Sequence, residues 1–198
     1  MCIRDSPYEG ERRAGTVGMP LPGVELKVTD AEGQPVAQGE IGSIEVRGPN
    51  VFKGYWQMPE KTAAELRDDG WFITGDLGRI DADGYVSIVG RGKDLIISGG
   101  FNIYPKEIEL VLDEQPGVLE SAVIGVPHPD FGETPVGVLV SDAQSPDLEA
   151  VHAAVKSDLA RFKHPAKYVV VDALPRNTMG KVQKNVLRET YKDLFQPA

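Results

Sequence analysis

The sequence predicts an α+β fold in which a β-rich first part is followed by a small α+β domain. Alternating apolar and polar residues at 24–28 and 42–48 are typical of half-buried strands. Continuous apolar runs at 121–126 and 136–140 indicate buried strands, and apolar residues at helical spacing over 148–160 indicate a helix. The change from the first texture to the second predicts two units.

In the first part, short strands at 71–74 and 85–89 are separated by the turn sequence Asp-Ala-Asp-Gly at 81–84. A short helix is predicted at 59–67, and the break Asp-Asp-Gly at 68–70 follows it. Short strands at this spacing predict a barrel-like or sandwich-like piece that ends near residue 90.

In the second part, a helix is predicted at 103–113, with Pro105 near its start. A β-branched strand is predicted at 168–171, and a terminal helix at 181–191. This pattern describes an α+β domain of about 100 residues, a common domain size.

Composition excludes several classes of protein. Among 198 residues there are 21 Lys and Arg against 30 Asp and Glu, a net charge of −9, so a general nucleic-acid binder is excluded. No apolar run approaches the ~20 residues of a transmembrane helix, so no membrane partner is expected. The single Cys2 allows neither an internal disulfide nor a cysteine metal site. Since no secretory signal is seen, a reducing cytoplasm is the expected compartment.

The first stretch that could carry chemistry is Thr-Gly-Asp-Leu-Gly at 74–78. Asp76 is predicted to lie between a strand and a glycine-flanked turn. Its carboxylate could accept hydrogen bonds from the two hydroxyls of a ribose. The alternative is a turn aspartate that bonds its own backbone.

The second stretch, residues 90–109, combines Gly, Arg and Lys with a Gly-Gly pair ahead of a helix. Arg91 offers fixed donors and Lys93 a mobile charge. Gly99 and Gly100 allow a positive φ and close approach of a ligand. The alternative is a solvated interdomain linker followed by a tight turn.

The third stretch is Pro-Arg-Asn-Thr-Met-Gly-Lys-Val at 175–182. Its Pro, Asn and Gly keep it out of regular structure, and Lys181 follows a glycine at a loop tip. A compact ammonium group suits a phosphate or a developing oxyanion. The stretch is not a Walker loop, since Ser or Thr does not follow the lysine as that motif requires. The alternative is a loop lysine in water.

Four motifs in this order resemble the C-terminal part of adenylate-forming acyl-CoA synthetases. They are Thr-Gly-Asp-Leu, Gly-Arg-X-Lys-Asp, Gly-Gly-Phe-Asn with Pro-X-Glu-Ile-Glu, and Pro-Arg-Asn-X-X-Gly-Lys. Residues 39–56 resemble the same superfamily, and the likeness runs from about Gly10 to the C-terminus. Four ordered motifs are far more specific than any one alone. Within the superfamily, residues 50–56, 59–62, 69–78 and 175–192 resemble the malonyl-CoA synthetase (malonate–CoA ligase) branch.

The resemblance implies an ATP-dependent, AMP-forming ligase that joins malonate or methylmalonate to CoA through an acyl-adenylate. By motif, Asp76 would hold the ribose hydroxyls of ATP and AMP, and Arg91 would help to fix the nucleotide. Lys181 would be catalytic, reaching the α-phosphate and the substrate carboxylate during adenylation only. Mg²⁺ would accompany ATP, with its ligand upstream of this chain; no metal ligand is expected here.

The same resemblance implies movement of the second unit. Lys93 would be the hinge about which the small domain rotates between half-reactions. Gly99, Gly100 and Phe101 would enter the site in the thioester step, with Gly100 leaving room for the pantetheine arm of CoA.

The implied domains are a β-barrel-like end of the large AMP-binding domain at 7–90, a hinge at 91–95 and a mobile lid at 96–198. Residues 1–6 do not resemble the family, and they predict a cloning or assembly scar. The phosphate loop, adenine pocket and acyl pocket of the family are not seen. The chain is therefore expected to be part of a larger enzyme and to need its missing N-terminal part for activity.

Three other interpretations stay open. One is another acyl- or aryl-CoA ligase, since the acyl pocket that would identify the acid is not seen in this sequence. Another is an accessory module that acts in trans with a separate adenylating domain. The third is an interaction domain whose motifs are relics; intact Asp76, Arg91 and Lys181 speak against it.

Overall fold

The computed structural model describes residues 4–5, 12–141 and 145–196, with only the backbone at 4–5. They fall into two compact units that divide between Lys93 and Asp94. The predicted scar at 1–6 lies outside the described residues, apart from the backbone of Arg4–Asp5, which forms a short strand β1.

The first unit is mainly antiparallel sheet. Its elements are β1 and β2 (Met19–Pro20), which pair, then β3 (Glu25–Thr29), β4 (Gly42–Arg47), helix α1 (Pro59–Glu65), β5 (Phe72–Ile80) and β6 (Val86–Arg91). The last four strands form one sheet in the order β3-β4-β5-β6, and each neighbouring pair is antiparallel. The alternating sequence pattern therefore predicted β3 and β4 within one residue.

This sheet is open within the described residues, with β3 and β6 at its edges. No closed barrel is seen in these residues, and the predicted β-rich character is confirmed. One face is closed by a cluster around Ile44, Val46, Phe72 and Val86. The other elements of the unit pack on that cluster through partly buried residues such as Phe52 and Leu66.

The second unit is an α+β domain, so the predicted fold class is confirmed. Its elements are β7 (Ile96–Ser98), β8 (Phe101–Ile103), α2 (Pro105–Asp113), β9 (Val118–His128), β10 (Gly132–Ser141), α3 (Leu148–Asp158), β11 (Lys167–Val171) and α4 (Lys184–Tyr191). Short 3₁₀ helices lie at Gly92–Asp94, where the two units divide, and at Arg161–Lys163.

The sheet of the second unit is centred on β10, which pairs antiparallel with β9 and parallel with β11. At one end, Gly132 of β10 also pairs with Ser98 of β7. Helices α2 and α3 pack on one face through residues such as Leu112 and Val155. Leu187 of α4 packs on the other face. Burial on both faces explains why β9 and β10 are continuously apolar in the sequence.

The terminal helix begins three residues later than the sequence pattern predicted. Val182 forms an isolated bridge with Arg176, and the N–H of Gln183 donates to the carbonyl of Pro175 at 2.8 Å. These backbone bonds hold residues 181–183 in an extended return segment, so α4 starts only at Lys184.

Candidate functional site

Asp76 and Arg91 face each other across neighbouring strands. They are register partners in the antiparallel pairing of β5 with β6. Arg91 Nε lies 2.9 Å from Asp76 Oδ1, and Arg91 Nη1 donates to the carbonyl of Thr74 at 3.1 Å. The side chain of Asp76 is 17% exposed and that of Arg91 51% exposed, so the pair is open to a ligand from solvent.

The backbone around Asp76 explains this placement. Asp76 lies inside β5, not between a strand and a turn as predicted, because it pairs with Arg91 of β6. Gly75, with a φ of +74°, lies at an irregularity where the pairing of β5 with β4 is interrupted between Ile73 and Leu77. The N–H of Asp76 donates to Thr74 Oγ1 at 3.1 Å, and that hydroxyl donates to the carbonyl of Ile44 at 2.9 Å. The carboxylate therefore bonds Arg91 and not its own backbone. Arg91 likewise ends a strand and is not part of a solvated linker.

Lys93 lies on the 3₁₀ helix Gly92–Asp94, and its side chain is exposed. The residue after it is fixed to the second unit, since Asp94 Oδ1 accepts from Arg188 Nη2 of α4 at 2.5 Å. A hinge at Lys93 stays a prediction.

Gly99 and Gly100 form the two-residue turn of the β7–β8 hairpin. Ser98 and Phe101 pair across it, and the two glycines have φ values of +56° and +84°. Two successive positive φ values are what the tight hairpin turn with right-handed twist requires, so glycine is the natural residue at both positions. The N–H of Gly99 also donates to the carbonyl of Phe131 at 3.0 Å, which ties the turn to the β9–β10 connection.

An aromatic pocket of about 580 Å³ adjoins this turn. The rings of Phe101 and Phe162 stack with centroids 4.7 Å apart, and both side chains are substantially exposed. The pocket is lined by Ser98, Gly99, Phe101, Phe131, Thr134, Arg161, Phe162, His164 and Ala166. Such a volume, with apolar walls and a few polar groups, is of the size that takes an extended small molecule.

His152 and Tyr168 form a pair of titratable groups near His164, which lines the pocket; the His152 and His164 ring centroids are 6.3 Å apart. Burial raises the pKa of Tyr168 to about 12, so its hydroxyl stays protonated at neutral pH. His152 Nδ1 lies 3.4 Å from that hydroxyl. Burial lowers the pKa of His152, and the charges of Lys156 and His164 lower it further. Both shifts favour the uncharged form of the side chain at neutral pH.

Lys181 lies on an exposed loop whose backbone is tightly bonded. We call residues 176–182 the Lys181 loop. Asn177 Oδ1 accepts from the N–H of Met179 at 3.0 Å and from the N–H of Lys181 at 2.9 Å. The N–H of Asn177 donates in return to the carbonyl of Lys181 at 2.9 Å. The backbone of Lys181 is thus fixed, while its long side chain remains in solvent.

The turn at Gly99 and the Lys181 loop lie at opposite ends of β9. Gly132, which pairs with Ser98 beside the turn, also pairs with His128 at one end of that strand. Arg176 of the Lys181 loop forms an ion pair with Glu120 near the other end. A strand rise of about 3.3 Å per residue puts Glu120 and His128 roughly 26 Å apart. The structure thus joins Asp76 with Arg91, but it separates Lys181 from Gly99, Gly100 and Phe101.

Several residues of these sites were missed by the sequence reasoning. Arg176 stood inside a motif without a role, and its ion pair with Glu120 follows only from the tertiary structure. Glu109, 7% exposed, accepts from the N–H of Val123 at 2.9 Å and from Lys184 Nζ at 2.5 Å. A signal was present in the sequence, because Glu109 stands beside the buried Ile108 on the apolar side of a helix.

The described residues contain no group of three or more His, Cys, Asp or Glu that could hold a metal ion. Within the same part of the chain, no helix is both long and apolar enough to cross a bilayer.

Two family models match the sequence. Residues 1–56 match the AMP-binding enzyme model, and residues 107–181 match the AMP-binding enzyme C-terminal domain. The second match ends at Lys181. Together the two matches cover about two thirds of the chain.

The chain is similar to curated CoA ligases. It is 45% identical to the 2-succinylbenzoate–CoA ligase of Geobacillus kaustophilus over 92% of this chain and 37% of that protein. It is 38% identical to the malonate–CoA ligase of Arabidopsis thaliana over 95% of this chain and 32% of that protein. The chain therefore spans about a third of the length of the curated relatives it matches.

Solved structures are similar as well. The crystal structure of ATP-bound MatB from Rhodopseudomonas palustris superposes with a TM-score of 0.91 and is 61% identical. That match covers 98% of this chain and 39% of MatB.

Proposed function

Because the chain belongs to the AMP-binding enzyme family, we propose that it supplies the ribose-binding strands and the C-terminal domain of an AMP-forming carboxylate–CoA ligase. The observation that carries the proposal is the separation of Lys181 from the Gly99 turn along β9. A reaction in two steps can use two such distant elements in turn.

In the first step, a carboxylate oxygen of the acid attacks the α-phosphorus of ATP, and pyrophosphate leaves with the electron pair of the broken P–O bond. Asp76 would accept hydrogen bonds from the ribose hydroxyls while Arg91 holds its Oδ1. Lys181 would stabilise the negative charge that develops on the α-phosphate oxygens. A preorganised cation at that position contributes most in the transition state.

In the second step, the sulfur of CoA attacks the acyl carbon of the adenylate, the C–O bond to phosphate breaks, and AMP leaves. Gly99, Gly100 and Phe101 would form one wall of the channel for the pantetheine arm. The aromatic pocket beside this turn supports that role, because the methyl and methylene groups of an extended arm can pack on such a surface. The thiol proton passes to solvent or to the leaving phosphate.

Lys93 would be the residue about which the second unit turns between the two steps. Support comes from its place at the division between the units and from Asp94, which Arg188 anchors to the second unit. A rotation at Lys93 would withdraw the Lys181 loop, which lies near one end of β9, from the reacting groups. It would bring the Gly99 turn, at the other end of β9, into its place.

Malonate, with methylmalonate as a close analogue, is the acid we propose. The likeness of residues 50–56, 69–78 and 175–192 to malonyl-CoA synthetases supports it, as does the Arabidopsis relative. The 61% identity with MatB stands well above the 38–45% identity with the curated ligases. Other acyl- or aryl-CoA ligases match at similar identity to the malonate enzyme, so the acid needs its own test.

Mg²⁺ would enter with the phosphates of ATP. The described residues offer no acidic cluster for a metal, so its ligand is proposed to lie in the preceding part of the enzyme. The proposed compartment of the ligase is the cytoplasm.

The test joins this chain to the part of MatB that precedes the match; we call the product the completed ligase. We expect it to release AMP only when ATP, malonate and CoA are all present, and the preceding part alone to release none. A folded completed ligase without AMP release would overturn the proposal. If the two parts are active when mixed without being joined, the chain acts as a module in trans.

The acid is tested separately, since the acyl pocket is outside this chain. The source DNA upstream of the codon for Tyr8 should be sequenced and any continuous reading frame expressed. Release of AMP with malonate, and not with ferulate or 2-succinylbenzoate, is the expected result. Preference for an aryl acid would reject malonate and keep the ligase.

A further inference from the structure

Arg176 makes two bonds, one to the Lys181 loop and one to strand β9. Its Nη1 donates to the carbonyl of Gly180 at 2.6 Å, directly before Lys181. Its Nη2 forms an ion pair with Glu120 on β9. One planar guanidinium therefore links the tip of the loop to the central sheet of the second unit.

The contacts of Asn177 close the loop on itself but do not tie it to the sheet. They run from Asn177 to Met179 and Lys181, within the loop. The last residue of the loop, Val182, packs on the core cluster around Ala122 and Val138, and Lys184 bonds the buried Glu109 after the loop has ended. Those contacts hold the end of the loop, whereas Arg176 ties Gly180, directly before Lys181, to β9.

We propose that Arg176, held by Glu120, is a positioning residue that sets where Lys181 can place its ammonium group. The proposal rests on the proposed function, in that the position matters only if Lys181 acts in adenylation. The Arg176–Glu120 pair is partly exposed, at 43% and 35% of the two side chains. A pair this exposed adds little to stability, so its loss should move the loop without unfolding the domain.

Arginine suits this role better than lysine. The two bonds use two different N–H groups of one rigid fork, and an ammonium on a flexible stem reproduces that geometry poorly. Arg176→Lys should therefore keep the charge and restore only part of the effect. Partial recovery in Arg176→Lys would indicate positioning by the guanidinium, whereas full recovery would indicate that a positive charge beside Glu120 is sufficient.

The first experiment follows amide hydrogen exchange in the 198-residue chain itself. Arg176→Ala and Glu120→Gln are compared with Lys192→Ala, a matched control that breaks the exposed pair of Lys192 with Glu189 on the same unit. We expect the amides of Asn177 and Lys181 to exchange about two- to fivefold faster in the two test variants, as the loss of an exposed pair allows. The amide of Val138 in β10 should be unchanged in all three variants, which shows that the fold is intact.

The second experiment measures the two half-reactions in the completed ligase. Arg176→Ala should slow adenylate formation by about 10- to 100-fold, the scale of a displacement of roughly 1 Å at a reacting group. Thioester formation from supplied acyl-adenylate should stay at the level of the unaltered protein. Arg176→Lys should fall between the two, and Lys192→Ala should change neither step.

Unchanged exchange at Lys181 in Arg176→Ala overturns the proposal, as does an equal loss in both half-reactions, which a merely structural role would give. If the unaltered completed ligase forms no adenylate, the proposed function fails. The exchange experiment on the chain still decides then whether Arg176 and Glu120 fix the loop.

Discussion

Asp76 and Lys181 are held in place by backbones of two different kinds. Asp76 lies on β5, between two strands of its sheet, and the register with β6 brings Arg91 to its carboxylate. Lys181 lies on a loop, where hydrogen bonds from the side chains of Asn177 and Arg176 hold the backbone in place of strand pairing. A carboxylate that holds the same nucleotide in both steps benefits from a rigid strand. A lysine needed in one step is better placed on an element that can leave.

The largest effect is expected at the loop. Lys181→Ala in the completed ligase should reduce adenylate formation by about 10²–10³-fold, since one preorganised charge is lost in the transition state. Thioester formation from supplied adenylate should be unchanged. Pyrophosphate release and thioester formation are measured separately, with Lys192→Ala as the control. An equal loss of rate in both half-reactions would contradict the proposal that Lys181 acts in one step only, unlike Asp76.

The next largest effect is expected at the Gly99 turn, which lies at the opposite end of β9 from the Lys181 loop. Gly100→Trp should reduce the thioester step by about a hundredfold while adenylation continues, because a large side chain would occupy the proposed channel. Gly100→Asn is the matched control, as Asn tolerates a positive φ and a Cβ at Gly100 meets no atom within 4 Å. A thioester step that is equally fast in the two variants argues against a channel at this turn.

A smaller effect is expected on the strands. Asp76→Asn should raise the KM for ATP by about 10- to 100-fold, since charge-assisted hydrogen bonds to the ribose are weakened. Both half-reactions should suffer, unlike in Lys181→Ala. Glu25→Gln is the control, because Glu25 and Arg47 form a comparable cross-strand pair at 2.7 Å in the same sheet. If the two variants bind ATP alike, Asp76 is not the ribose ligand.

The smallest effect concerns the stability of the sheet that carries Asp76. Glu45 is 1% exposed; burial raises its pKa, but bonds from Arg67, Lys27 and Thr29 outweigh burial and hold the pKa below its usual 4.5. Since the folded pKa is the lower one, ionised Glu45 stabilises the fold above pH 4.5, and this contribution is lost as the pH falls toward the folded pKa.

The free energy of unfolding of the unaltered chain should therefore exceed that of Glu45→Gln by about 1–3 kcal/mol at neutral pH. The difference should shrink as the pH falls from about 6 to 3, in urea titrations of both proteins. Glu60→Gln, an exposed change on α1, should show no such convergence. A difference that stays constant with pH would assign the loss to packing and not to the charge of Glu45.

The sequence predicted most elements because their patterns are local. Alternation identified β3 and β4, and helical spacing identified α3. Two boundaries were wrong where backbone bonds between distant residues decide. Asp76 lies inside a strand because it pairs with Arg91 of β6, and α4 starts late because Gln183 bonds Pro175. Within the described residues the first sheet is open at β3 and β6, and strand spacing alone does not say which edges pair.

The sequence by itself determined the fold class, the order of the motifs and the family they resemble, because these depend on residue types and their spacing. Only the tertiary structure decided which motif residues meet. Strand register brings Asp76 and Arg91 together, and the length of β9 separates Lys181 from the Gly99 turn. The partners of Arg176 and Glu109 likewise lie on other elements. The physical reason is that an ion pair or a register joins residues far apart in the chain, and no local pattern records such a distance.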